Sequence, residues 1–342
     1  MQKPEPKIRL PRIDTIDIAR GVALVAMAIY HFSWDLEYFG YATPGMTEIG
    51  GWKLFARAIA SSFLILVGIS LYLANGREIR WRSFWRRLAM VVAGAVAITI
   101  VTWFMMREEF IYFGILHEIA LASLIGLLFL RLPSLLTLAA GIAIIVLPNF
   151  YSNELFDNPV GWVLGLSPYV PRSNDYVPLF PWFGAVLIGL SAVKLADASG
   201  LLRWLSGIRA GSWAVPLRFA GRHSLAVYLL HQPVLFGSVF VFAQFFPARM
   251  ETPQVRFLQA CQVECEKSRD SDYCVSYCPC MLHRIEGEHK LGDLFARRET
   301  PETRQWLTGL ARQCTEETDN RVPLEDNMPE TGKPENGARP GG

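Results

Sequence analysis

Two ionisable side chains, Arg20 and His31, stand in a run apolar enough to cross a membrane, Asp14 to Asp35, DTIDIARGVALVAMAIYHFSWD. An imidazole can take a proton from a nucleophile and return it, and a guanidinium can grip a phosphate. Neither belongs in hydrocarbon. A charge at mid-bilayer costs about 2.5–3.5 kcal/mol on the insertion scale, so such residues face protein or water and mark a site by default. Eleven residues make three helical turns plus roughly 20°, which puts both side chains on one face about 16 Å apart. That face reads Asp17, Arg20/Gly21, Leu24, Met27/Ala28, His31, Trp34/Asp35, so each has a carboxylate one turn away. Two plainer roles compete: Arg20 paired with Asp17 to set helix depth, and His31 hydrogen-bonded to hold two helices together.

Other polar residues fall at the ends or in the middle of apolar runs. His117, beside Glu118, lies about 10 Å into its span if that span starts near Phe110, close to the depth of His31, so the two imidazoles are placed to converge. A helix–helix contact explains His117 as well. Arg222 and His223 open the last span at its N-terminal end, where amide donors and the helix dipole favour phosphate. Ordinary positive-inside anchoring accounts for them equally. His231 stands near mid-membrane two residues before Pro233, where the helix is expected to kink and the ring to line a cavity. Asp175 and Trp182, in the stretch DYVPLFPW, are candidates for the substrate side, with interface anchoring as the alternative.

The elements that must position these residues follow from composition. The 342 residues are 51% hydrophobic and only 19% charged, too apolar for a soluble domain of this size. A net charge of +2 without a basic patch argues against nucleic acid as a partner. Hydropathy gives about seven spans, near 15–34, 54–74, 88–106, 110–130, 134–148, 179–196 and 223–246. All must satisfy their backbone by helix, so the fold class is an all-α polytopic membrane protein surrounded by lipid. The basic start precedes a run too long for a signal peptide, with no cleavage site, and reads as a retained helix. Loops on one side carry fifteen Lys and Arg, five of them in 75–87, against three on the other: Lys53, Arg107 and Arg172. That asymmetry places the N-terminus in the cytoplasm of an inner-membrane protein and the C-terminus outside. The predicted segments are 1–14 cytoplasmic, 15–246 transmembrane, 247–322 a Cys-rich periplasmic tail, and 323–342 disordered. Within 194–222, Leu201, Trp204, Leu205 and Ile208 beside Arg203 and Arg209 predict a short helix on the membrane surface. The external stretch 149–181 is long, aperiodic and rich in aromatics.

All six cysteines fall in the tail. Cys261 with Cys265, and Cys274 with Cys278, are each spaced i, i+4, so two short antiparallel helices can be joined by Cys261 to Cys278 and Cys265 to Cys274, leaving Cys280 with Cys314. A zinc site with His283 and His289 is the weaker alternative, because the usual two-residue cysteine spacing is missing.

Arg20, ten residues and then His31, opening with Ile16-Asp17 and Arg20-Gly21, resembles the transmembrane acyltransferase superfamily that modifies cell-surface sugars. The run IDIARGVALVAMAIYHFSWDLEYFG followed by FLILVGISLYLA looks more narrowly like the prokaryotic branch related to heparan-alpha-glucosaminide N-acetyltransferase, as do FGILHEIALASLI, DYVPLFPWFGAVLIG and GRHSLAVYLLHQPVL. The resemblance covers roughly residues 10 to 245 and not the tail. It implies transfer of an acetyl or similar acyl group from cytoplasmic acyl-CoA to a hydroxyl or amine of an envelope sugar, with no metal. His31 would then act as base in a direct attack or carry the acyl group as an acyl-histidine, Asp35 would hold its tautomer, and His117 would assist. Arg20, Arg222 and His223 would hold the coenzyme, while Asp175, Trp182 and His231 would line the acceptor side. The heparan enzyme's catalytic histidine lies in the loop after the first helix, and residues 36–53 here contain none. That assignment does not carry over, and heparan is not the expected acceptor. Two rival readings remain at this point: a transporter or flippase whose pathway the polar stripe lines, and a haem protein using His31 and His117.

Overall fold

The computed structural model describes residues 13–43, 45–208, 210–248, 253–288, 290, 291, 294 and 301–321. These residues are mostly helical with no strand among them, and they divide into two compact units, Met1–Asp35 with Gly50–Val241, and Leu36–Ile49 with Phe242–Gly342.

The first unit holds α1 (Asp14–Tyr38, to Asp35), α2 (Gly50–Asn75), α3 (Trp81–Met105), α4 (Ile115–Phe129), α5 (Ser134–Val146), α6 (Pro159–Leu164), α7 (Leu179–Ala198), α8 (Leu201–Gly207), α9 (Val215–Arg222) and α10 (Ser224–Phe245, to Val241). The seven apolar runs appear in the expected order. Five of these helices, α1, α2, α3, α7 and α10, are long and apolar enough to cross a membrane, and α4 and α5 are shorter apolar helices. Two boundaries differ most from the sequence reading. The third helix starts at Trp81 rather than near 88, because hydropathy stops at Arg86 and Arg87 while a helix does not. The fourth starts at Ile115 rather than 110. Two threonines of α3 capture Ile111 outside it: Thr99 Oγ1 donates to the Ile111 carbonyl at 2.8 Å, and the Ile111 amide donates to Thr102 Oγ1 at 3.0 Å.

Helix α7 is the centre. Its sequence is apolar all round, the pattern of a helix buried on every side, and Phe183, Val186, Leu187 and Leu190 join Leu64 and Leu71 of α2 and Ala122 of α4 in the main core. Gly68 and Gly189 let α2 and α7 meet backbone to backbone, since a Cβ on either would fall 2.0–2.1 Å from a carbonyl oxygen of the other helix. On the outside, α3 exposes Val96, Ile100 and Phe104, and α10 exposes Leu230, Val234 and Phe240. Such rows suit lipid, not water. The aromatic-rich stretch 149–181 is held by local contacts: Asn158 caps α6, Tyr176 Oη donates to the Trp162 carbonyl, and Tyr112 meets Trp162 edge to face. In α8 the inward residues are Leu202 and Leu205, packed with Ile13 and Val193, while Trp204 is exposed. Arg209 lies outside the described residues.

The second unit contains α11 (Pro253–Cys265), α12 (Ser271–Gly287) and α13 (Pro301–Arg321). Three disulfides, Cys261–Cys278, Cys265–Cys274 and Cys280–Cys314, staple them in the pairing that the spacing predicts. All six thiols are thereby used, which leaves the zinc alternative without thiolate ligands. Met281, Leu282, Ile285, Leu310 and Cys314 form a small core. The loop that follows α1 belongs here too: the Glu37 carboxylate accepts from Gly45 and Thr47, Gly45 packs on Val263, and Glu48 pairs with Lys267 at 3.8 Å. Residues 1–12, His289 and the stretch 323–342 expected to be disordered lie outside the described residues.

Candidate active site

The site begins where α1 crosses α9. A Cβ at Gly221 would lie 1.8 Å from the Asp17 carbonyl oxygen, and one at Gly21 would lie 2.3 Å from that of Leu217. Only glycine permits this approach. It draws together a charge network. Arg218 and Arg222 pair with Asp14 at 2.7 and 3.2 Å, Arg222 reaches Asp17 at 3.4 Å, and Arg20 pairs with Asp17 at 2.9 Å while donating to Ser70 of α2. The plainer role expected for Arg20, a bond to Asp17, is therefore present. It does not remove the guanidinium from the site, because Arg20 and Arg222 both line a cavity of about 540 Å³.

That cavity lies among α1, α2, α3, α4, α9 and α10. At one end are Arg20, Arg80, Arg87, Arg222 and His223, and Phe63, Leu66, Leu116 and Ile119 line its apolar part, with Tyr228. His223 is not the first residue of the last helix, as its position suggested. It is the non-helical break between α9 and α10, its ring tilted against that of Phe219 with centroids 4.8 Å apart. The amides that open α10 are those of Ser224, Leu225 and Ala226, all in the lining.

Farther along α10 is the histidine site. The His31 and His231 rings meet edge to face with centroids 5.0 Å apart, and Tyr228 lies 5.7 Å from His231. His231 Nδ1 is 2.6 Å from the Tyr228 carbonyl oxygen. A carbonyl only accepts, so Nδ1 carries the proton and the neutral ring keeps its lone pair on Nε2. That Nε2 is buried and has no partner among the described residues. Asp35, expected to hold the His31 tautomer, instead accepts from Gln232 Nε2 at 2.7 Å. The reason is register: α10 sets His231 against His31, and the next residue, Gln232, then falls to Asp35. Asp35 is fully buried, and its Oδ2 and the Gln232 Oε1 also lack partners among the described residues. All three orphan atoms are acceptors, so a group bearing O–H or N–H donors would complete the cluster.

A family profile described as heparan-alpha-glucosaminide N-acetyltransferase, catalytic, matches residues 12–233, well over half of the chain. The chain belongs to this family. No curated protein and no solved structure gives a match. This acetyltransferase-family region opens one residue before Ile13 and ends at Pro233, so it includes the cavity, both rings of the His31–His231 pair, Asp35 and Gln232.

The remaining candidates of this acetyltransferase-family region lie apart from the histidine pair in the contacts they make. His117 does not meet His31. Its Nδ1 accepts from the Gly114 amide at 3.2 Å and its Nε2 lies 3.3 Å from Thr99 Oγ1, so both nitrogens are engaged and the pairing that a haem site would need is not formed. Asp175 Oδ2 accepts from the Ile115 amide at 2.9 Å and anchors the start of α4. Part of that residue reaches the surface, but its carboxyl is enclosed, and burial pushes it up to about 6 against the pull of the Ile115 amide. Trp182 packs against the main core. Sequence reasoning missed Arg80, Arg87, Tyr228 and Gln232. The arginines had a signal, the basic 75–87 loop, but it was spent on topology. Tyr228 and Gln232 had only their spacing around His231.

Proposed function

We propose that this membrane acetyltransferase moves an acetyl or similar acyl group from cytoplasmic acyl-CoA to a hydroxyl or amine of an envelope sugar. The observation that carries the reading is the cavity itself, whose one lining includes four arginines and Tyr228, the neighbour of the histidine pair. Arg20, Arg80, Arg87 and Arg222 suit the coenzyme's phosphates, since guanidinium–phosphate bonds are charge-assisted and directional. The apolar part between Phe63 and Ile119 suits a slender pantetheine arm. The bias of fifteen Lys and Arg against three supports a mouth on the cytoplasmic side and the far end of α1 outside, where an envelope sugar is met.

His31 takes the proton from the acceptor's O–H or N–H as that atom attacks the thioester carbonyl carbon. His231, whose ring meets that of His31 and whose Nε2 has no partner among the described residues, then shares the proton of the imidazolium that results, the task first expected of Asp35. Asp35 and Gln232 hold the acceptor through the oxygens left without donors. When the carbon–sulfur bond breaks, the same proton returns to the leaving thiolate. The test is label transfer from radioactive acetyl-CoA to an envelope-sugar extract by purified wild-type protein beside His31→Ala, with coenzyme A binding measured separately. Transfer by the wild type, lost in a variant that still binds coenzyme A, is expected. Neither turnover nor binding with a range of acyl donors would leave transport as the better account.

A further inference from the structure

One residue belongs to both halves of the site. Tyr228 lines the cavity, its ring packs 5.7 Å from that of His231, and its carbonyl fixes the His231 tautomer. It also packs against two separate core clusters, one around Leu64 and Val186 and one around Leu24, Met27 and Ile59, so it has little freedom to move. Its hydroxyl makes no hydrogen bond among the described residues. The charged group within electrostatic reach is Asp175, whose Oδ2 is committed to the Ile115 amide.

An acyl transfer of the kind proposed above needs a donor for the negative charge that grows on the thioester oxygen. Three other polar side chains of the cavity lining are already used. Ser70 donates to the Leu66 carbonyl, Ser123 donates to that of Ile119 at 2.6 Å, and Asn75 serves Leu71 and Arg80. Arg20 and Arg222 are held by Asp17 at the far end. We infer that Tyr228 is a catalytic residue, its phenol O–H donating to the thioester carbonyl oxygen in the transition state. The acceptor's proton passes to the histidine pair, the carbon–sulfur bond breaks, and coenzyme A leaves as the thiol with that proton. Tyr228 keeps its own proton throughout and is neither acylated nor oxidised. Its backbone thus sets the relay histidine while its side chain steadies the reacting carbonyl.

This inference rests on the acyltransferase reading, and the two can fail separately. Tyr228→Phe keeps the ring and its packing and removes one O–H. Expected is a fall in kcat of about 10²–10³-fold, the size seen when one oxyanion donor is removed, with the KM for acetyl-CoA and the Kd for coenzyme A unchanged within about twofold. Replacing Tyr228 by 3,5-difluorotyrosine, the same ring with a stronger donor, is expected to keep at least wild-type kcat and guards against a variant that merely misfolds. A wild-type protein that turns over beside a Tyr228→Phe protein of equal kcat would overturn the inference alone. So would a difluorotyrosine protein as slow as Tyr228→Phe, or a loss that appears wholly as weaker coenzyme A binding. A wild-type protein with no turnover overturns the acyltransferase reading instead.

Discussion

If His31 and His231 pass one proton between them, they should fail as a unit. The perturbations are His31→Ala, His231→Ala and the double variant. Loss of a positioned acid or base typically costs 10²–10⁴ in rate, and at the middle of that range each single variant loses about 10³-fold, or about 4 kcal/mol at 1.36 kcal/mol per decade. Independent residues would add to about 10⁶-fold, or about 8 kcal/mol. The rings are in contact, with centroids 5.0 Å apart, and residues in contact do not add. Each single change strands the other ring: without His231 the His31 imidazolium has no shared lone pair, and without His31 the buried Nε2 of His231 has nothing to receive. The double variant is therefore expected to lose about 10³–10⁴-fold, with a coupling of roughly 3–4 kcal/mol. Single-turnover acetyl transfer at saturating acetyl-CoA measures this, with thermal unfolding and coenzyme A binding as controls on each protein. Losses that simply multiply, or a His231→Ala protein as fast as wild type, would refute the relay.

Two further outcomes follow from the same site. Arg80→Ala and Arg87→Ala should each weaken coenzyme A binding about tenfold with little change in kcat, and the loss should shrink at high salt because these side chains sit where ions can screen them; titration calorimetry at two ionic strengths checks it, and a fall in kcat with unchanged Kd would place the phosphates elsewhere. Gly21→Leu should abolish folded protein, since even a Cβ there meets the Leu217 backbone, whereas Gly237→Ala, whose added Cβ meets nothing within 4 Å, should be as stable as wild type or slightly more so; yield and the thermal transition in detergent measure both.

Much of the architecture was legible because it is local. Apolar runs fix where helices lie, and the i, i+4 cysteines of two short helices fix which sulfurs can meet. The polar stripe of α1 was legible for the same reason, since helical geometry alone puts Asp17, Arg20, His31 and Asp35 on one face. What faces that stripe was not. His117 shared a depth with His31, but depth says nothing about azimuth, and the Gly114 amide and Thr99 turned it aside. The true partner is 200 positions away, delivered by the register in which α10 lies on α1. That register follows from contacts such as Gly21 on Leu217 and Gly221 on Asp17, which a single sequence does not encode as a pattern. The arginine mouth is similar: a basic loop reads as topology until α3 folds against α2 and α10 and turns two of its five cations into a cavity wall. Sequence by itself thus determined the membrane class, the helices, the disulfides and one half of the site, because each depends on residues within a few turns of one another. Only the tertiary structure decided which half-sites meet, because pairing between helices depends on how close their backbones can come.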